Sequence, residues 1–275
     1  MARVADLITY PVKGCAGTRV QAAELAPAGL EHDRTFMAVG EDGTFRSQRR
    51  HPVLAVVRPA VLDGGARLAL SAPGHTDIEV AVAFDGRRRD VSVFTWAGQG
   101  VDQGDEAAAW FSAVLGAPSR LVRVPPEHRR ETSGETPGSA GFADGHAVLV
   151  ASWASLDLLN ERIAERGGEP VPMDRFRPNL VVDGWTEPHT EDDVWRMTAG
   201  GAELGFAKVC VRCTVPTVDQ ETGTRSGPEP VRTLAGYRRG PDGGVTFGMK
   251  AAVLRAGTVR IGDRVRVESR VTSPT

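Results

Sequence analysis

Turn signals recur about every ten residues through the first third of this chain. Between residues 3 and 93, the pairs Asp42-Gly43, Gly64-Gly65, Pro73-Gly74 and Asp85-Gly86 separate short runs of apolar and β-branched residues. Short strand-like runs separated by such breaks favour a β-sandwich or barrel. The expected strands are residues 4–10, 19–25, 34–39, 44–47, 54–62, 67–70, 78–84 and 89–94. Glu41-Asp42-Gly43 reads as a hairpin turn between the third and fourth of these.

The period changes at residues 105–115. Trp110, Phe111, Val114 and Leu115 share one helical face there, Gly116 suits the helix end, and Pro118 stops it. A strand at 120–124 follows, then a polar segment at 125–141 rich in Gly, Pro, Ser and Glu. Connections of that length are uncommon and read as either a functional loop or disorder. Residues 146–151 form a buried strand. Ser152 can cap the next helix, whose stripe is Leu156, Leu159 and Ile163 and whose end is Gly167. Strands are expected at 180–182, 194–197, 203–212 and 258–267, with one short helix at 231–237 in an otherwise polar stretch. Regular βαβ alternation is missing, so the fold class is mainly β with a few helices, α+β.

Of the 275 residues, 41% are hydrophobic and 25% charged, as in a globular protein, and the net charge of -2 gives no grip on nucleic acid or an anionic membrane. No run of 18 apolar residues marks a membrane span, and the N-terminus lacks the apolar core of a signal peptide. Three cysteines make no disulfide framework, which points to a reducing, cytoplasmic compartment. Arginine supplies nearly all the positive charge, and Lys13, Lys208 and Lys250 are the only lysines.

Cys210 and Cys213 form a C-x-x-C at the end of an apolar strand. A structural zinc site needs four ligands, and only Cys15 and six scattered histidines remain to complete one. A thioredoxin-like pair would sit near a βαβ unit, and an all-cysteine iron–sulfur cluster takes four cysteines. Side chains on a strand alternate with period two, so positions three apart are expected on opposite faces. That puts Cys210 in the core and Cys213 at the strand end; the pair reads either as plain core cysteines or as one soft thiolate, Cys213, that would serve a metal whose other ligands come from elsewhere.

The run from Cys210 through Thr214-Val-Pro-Thr-Val-Asp219 to Gly223 resembles the signature of the MOSC family, in the branch of the amidoxime-reducing components and their bacterial relatives. Tyr10-Pro-Val-Lys13-Gly-Cys-Ala-Gly17 resembles that family's opening motif, Asp33-Arg34-Thr-Phe36 its D-R-aromatic strand, and Phe176-Arg177-Pro178-Asn179 its F-R-P-N motif. Residues 229–234 and 257–263 resemble its C-terminal end, so the likeness spans nearly the whole chain in the family's order. It implies an N-terminal β-barrel-like domain at 1–118 and a MOSC domain at 119–275.

The resemblance further implies a molybdenum cofactor, a pterin dithiolene with a phosphate tail, whose metal is also bound by one protein cysteine. By motif position that residue is Cys213, as both metal ligand and catalytic residue. Lys13, Arg34 and Arg177 would face the anionic cofactor, where guanidinium forks suit phosphate oxygens. Asn179 and Asp144 would meet the pterin edge, and Arg49 would stand nearer the substrate. The implied activity is reduction of N-hydroxylated small molecules, such as amidoximes and hydroxylamines. Electrons would come from a separate ferredoxin- or cytochrome-type protein. Two departures stand out: Gly14 replaces a serine common in the family, and Cys15 reads as a small buried residue. The rival expectations are a MOSC protein that carries sulfur on Cys213 or handles cofactor without reducing anything, and a metal-free β-barrel binding module.

Overall fold

The computed structural model describes residues 1–271. Its largest sheet has eight strands, in the order Val265–Arg270, Val194–Ala199, Ala202–Val211, Thr246–Arg255, Val148–Ser152, Leu180–Asp183, Arg3–Thr9 and Thr18–Arg19. The two ends of that order meet. Val4 N–H donates to the Asp263 carbonyl at 2.8 Å, Gly262 N–H donates to the Val4 carbonyl at 2.8 Å, and Arg3 bridges Arg264. The strand Arg3–Thr9 therefore closes the sheet into a barrel, which removes open edges. Inside, Val148 and Val150, Leu180 and Val182, Met197 and Ala199, and Met249 and Ala251 are buried at alternate positions, as the pleat requires. The strand Ala22–Ala26 also pairs with a late strand, Gly257–Arg260. Residues from the start of the chain thus complete a structure whose other strands lie beyond residue 147.

The intervening residues form a five-stranded sheet, in the order Arg88–Val93, Trp96–Asp102, Arg120–Arg123, Phe36–Val39 and Val12–Lys13. A three-stranded meander, Arg58–Leu62, Arg67–Ser71 and Ile78–Ala81, stands beside it. Leu68 and Leu70 of the meander and Phe36 and Leu121 of the sheet share one core with Trp110 and Phe111 of helix α1 (Gly104–Leu115). That helix ends as its sequence dictates, with Gly116 at φ 62°. Helix α2 (Trp153–Ala164) starts with the Ser152 hydroxyl accepting the Ser155 N–H, and it buries Leu156, Leu159 and Ile163. It connects the only parallel neighbours in the barrel, Val148–Ser152 and Leu180–Asp183, which need such a crossover. Helix α3 (Val231–Leu234) is a single turn. Among the described residues the architecture is mainly β with three α-helices, an α+β fold. Among the described residues no helix is long and apolar enough to cross a membrane.

Two local expectations change. Residues 44–47 form no ladder with Phe36–Val39, only one bridge from Val39 to Phe45. Their backbone is shared between two strands: Arg46 N–H donates to the Ala38 carbonyl and Gly40 N–H to the Thr44 carbonyl, while Phe45 N–H donates to the Ser92 carbonyl and Ser92 N–H to the Gly43 carbonyl. Residues 125–141 are folded. The short strands Glu131–Thr132 and Gly138–Ser139 form a ribbon, and Glu135 N–H donates to the Ala207 carbonyl on the barrel. The buried Arg130 guanidinium ties its base down through the carbonyls of Gly141 and Ala143, at 3.0 and 2.7 Å.

Candidate functional site

A cleft opens where the two sheets meet, with about 950 Å³ of empty space out to its mouth. One wall carries Lys13, Arg34, Arg49 and the turn residue Phe94. The other carries residues 143–149, 176–179, 210–215 and Lys250. All six residues expected from the sequence, Lys13, Arg34, Asp144, Arg177, Asn179 and Cys213, border this space, as does Arg49. Its charge is lopsided. Lys13, Arg34, Arg49, Arg177, Arg212 and Lys250 supply six cations, against the single carboxylate of Asp144, in a chain whose net charge is -2. Such a wall concentrates anions.

Arg34 and Arg177 sandwich Tyr10, each guanidinium carbon lying 4.3 Å from the ring centroid. Both arginines adopt left-handed backbone, φ 46° and 57°, an uncommon and costly conformation for a residue with a Cβ. Arg177 is the left-handed cap that ends a short turn. A 3-10 turn, Met173–Phe176, runs into Pro178, and the residue before a proline avoids the right-handed helical region. Burial pushes the Tyr10 phenol up to about 12, against the pull of the two arginines, so it stays a donor, to the Pro178 carbonyl at 3.1 Å.

Behind this stack lies a polar knot. Asp33 accepts Arg34 Nη1 at 2.6 Å, Tyr10 N–H at 2.8 Å and Asn179 Nδ2 at 3.0 Å. Asn179 is 1% exposed. Its oxygen accepts from Arg34 and from Leu149 N–H, and its amide donates to Asp33 and to the Ile8 carbonyl. Both ends of that side chain are taken by protein, so it fixes Arg34 from behind. Arg177 is less committed. Nη1 reaches Gln220 at 3.3 Å, while Nη2 is buried with no acceptor.

Lys13 is buried and ion-paired with Asp144, and it lies 5.0 Å from the Phe45 ring centroid. Burial lowers its pKa, partly offset by Asp144. Asp144 is open to the cleft, its side chain 58% exposed. What desolvation it feels acts to raise its pKa, but Lys13, with Lys250 and Arg34, outweighs that and holds the carboxyl well below the aspartate range. Gly14, next in the chain, has φ 85°, a turn geometry that disfavours any residue with a Cβ. Cys15 is fully buried, and desolvation pushes its thiol up to about 12, so it is no thiolate.

Cys213 is exposed, and its sulfur lies 3.5 Å from Val215 N–H. The following loop is fixed by the buried Arg175, which donates to the Asp219 carboxylate at 2.9 Å, and by a reciprocal amide pair between Gln48 and Gln220. Cys210 is buried, as expected, but the opposite-face expectation fails because both cysteines border the cleft. The strand ends at Val211, and its register shifts between Val209 and Val211, so period two does not carry through to Cys213. Arg212, between them, donates to Cys210 Sγ at 3.0 Å and to the Phe176 carbonyl at 2.9 Å.

Sequence reasoning missed Asp33, Arg212, His146 and Lys250. The rarity of lysine was a usable signal for Lys250, and the Asp33-Arg34 motif was one for Asp33; Arg212 and His146 carry no local pattern. His146 is buried with Nδ1 unpartnered, and its other nitrogen meets the Ser133 carbonyl. Burial lowers its pKa to about 4, with Lys250, Lys208 and Arg130 adding to the effect. A depressed histidine pKa means a neutral ring whose contribution to stability is full above the unfolded value and fades as the pH falls towards 4. NMR titration should show the His146 ring neutral down to about pH 4; a midpoint above about 6 would contradict this burial.

These features describe a β-barrel protein with a cation-lined cleft and, among the described residues, one exposed thiol. Residues 1–118 match the MOSC N-terminal beta barrel domain, and residues 137–266 match the MOSC domain. The chain is 32% identical to mitochondrial amidoxime reducing component 2 of Bos taurus, over 95% of its own length and 82% of that protein. It is 32% identical to mitochondrial amidoxime-reducing component 1 of Mus musculus, over 95% and 81%. It is 35% identical to the molybdenum cofactor sulfurase of Danio rerio, over 90% of this chain but 31% of that protein, so it spans about a third of that relative. The chain belongs to the MOSC family, in its form with a MOSC N-terminal domain.

Proposed function

We propose that the cleft holds a molybdenum cofactor, and that the loaded protein reduces N-hydroxylated small molecules with electrons from a separate donor protein. The observation that carries this reading is one exposed thiol, Cys213, beside a cleft wall of six cations and one carboxylate. The amidoxime-reducing relatives support the choice of substrate class.

The residues fit such a group by their own chemistry. Arg177 Nη2 is a buried donor lacking an acceptor, which a phosphate or pterin oxygen would supply. Among the described residues no three His, Cys, Asp or Glu side chains cluster to hold a bare ion, and a cofactor would bring further metal donors itself. When bound, the cofactor supplies the two-electron chemistry; the protein binds, orients and tunes it. Cys213 is the protein's metal ligand in this reading, with the Val215 N–H available to its sulfur. Arg34 and Arg177 hold the anionic group, Lys13 neutralises it, and the free oxygen of Asp144 accepts pterin N–H groups. Asn179 and Asp33 position Arg34. Arg49 stands on the substrate side. Residues 1–118 provide one wall, and 119–275 the wall with the ligand cysteine. The balanced reaction is an amidoxime plus two electrons and two protons giving an amidine and water.

After expression in a host that makes the cofactor, the protein with a chemical reductant should convert benzamidoxime to benzamidine. A molybdenum-loaded protein that leaves benzamidoxime and hydroxylamine untouched would contradict the reductase reading. A mass gain of about 32 Da on Cys213, a persulfide, would support sulfur carriage instead, in line with the sulfurase relative.

A further inference from the structure

Two of the chain's three lysines face each other. Lys208 and Lys250 are direct cross-strand partners on Ala202–Val211 and Thr246–Arg255. Directly opposed residues project from the same face, with Cβ atoms about 5 Å apart, and like charges there are destabilising. The third lysine has its carboxylate, Asp144. Among the described residues neither Lys208 nor Lys250 lies within ion-pair reach of any carboxylate. Glu135 makes no such pair either, although its backbone is bonded to Ala207, the residue before Lys208.

The pair is placed beside the proposed active site. Lys250 borders the cleft, and Lys208 is exposed next to it on the barrel surface. His146 borders the same space, 7% exposed, with Nδ1 buried and unpartnered. A like-charge pair with no carboxylate in ion-pair contact, the Asp144 charge near Lys250 being already paired with Lys13, beside an unsatisfied buried nitrogen, is what a site looks like when its partner is a ligand group.

We infer that Lys208 and Lys250 form a subsite for an anionic group, a carboxylate or phosphate, on the substrate handled in the cleft. The protein then favours acidic N-hydroxylated molecules over neutral ones. The substrate part of this inference rests on the reductase reading; the anion subsite rests on the geometry alone. The cofactor's phosphate tail is the other source of the same chemistry, and the test separates the two.

With three lysines, selective ¹³C labelling of the lysine ε-carbons gives three signals, assignable through single Lys→Arg variants. The cofactor-loaded protein is titrated with 4-amidinobenzoate, with inorganic phosphate, and with benzamidine, which has the same ring and no acid. The Lys208 and Lys250 signals should move saturably with an anion and stay still with benzamidine. In steady-state assays, Lys208→Ala should raise KM for 4-carboxybenzamidoxime relative to benzamidoxime by about tenfold, equivalent to about 1.4 kcal/mol. Signals indifferent to both anions, or an unchanged KM ratio, would overturn the subsite. Signals that shift on cofactor loading and then ignore added anions would assign the pair to the cofactor tail and overturn the substrate claim. A wild-type protein that reduces neither amidoxime would sink the reductase reading, while the titration still decides the anion subsite.

Discussion

Cys213→Ala should lower benzamidoxime reduction by about 100-fold or more, as loss of a metal ligand does, while Cys210→Ala should keep most of the activity and lose about 1 kcal/mol of stability. The contrast follows from their surroundings. Cys213 is exposed, so its truncation removes no packing and leaves only its chemistry to lose. Cys210 is 4% exposed at the end of a core strand and accepts from Arg212, so its truncation leaves a small void and an unpaired guanidinium N–H. Turnover with a chemical reductant and a urea melt on the same preparations read both effects. Equal loss of activity from the two variants would mean that both cysteines serve the reacting centre.

Asp33→Ala should cost about 3–5 kcal/mol, the range for removing one partner of a buried ion pair. Arg34 would keep its charge in a site where its side chain is 14% exposed, and the N–H groups of Tyr10 and Asn179 would lose their acceptor. Asp33→Asn retains an acceptor oxygen and should lose less. The midpoint and slope of denaturant unfolding separate the two variants. A loss below about 1 kcal/mol in Asp33→Ala would show that the knot behind Arg34 relaxes at little cost. The same variant should weaken whatever the cleft binds, because Arg34 is aimed by Asp33 and Asn179.

How far the sequence could be read depended on how local each feature is. Helices α1 and α2 were legible because caps and a 3.6-residue period lie within a dozen residues: Gly116 and Ser152 do what their chemistry predicts. Barrel closure was not legible. It depends on residues 2–4 meeting residues 262–265, a pairing that no local pattern encodes. The hairpin at Asp42-Gly43 was half right: the turn forms, but residue 92 competes for the backbone beyond it. For the site, period two put Cys210 in the core and Cys213 at the strand end, and they are buried and exposed respectively; it did not show that both border the cleft, because alternation holds only while a strand keeps its register. The convergence of Lys13, Arg34, Asp144, Arg177 and Asn179 on one cleft came from motif resemblance. Single charges in loops have no period to reveal them. The resemblance could not say which of these face the cleft with a free group, as Arg177 does, and which are consumed in holding others, as Asn179 is.

The central claim is that this cleft is a molybdenum-cofactor site. Its most direct test is the metal and pterin content of the protein purified from a cofactor-producing host. The expected result is about one molybdenum and one pterin phosphate per chain, retained through gel filtration and lost in Cys213→Ala. Less than about a tenth of a molybdenum per chain, with no pterin released on denaturation, would contradict it.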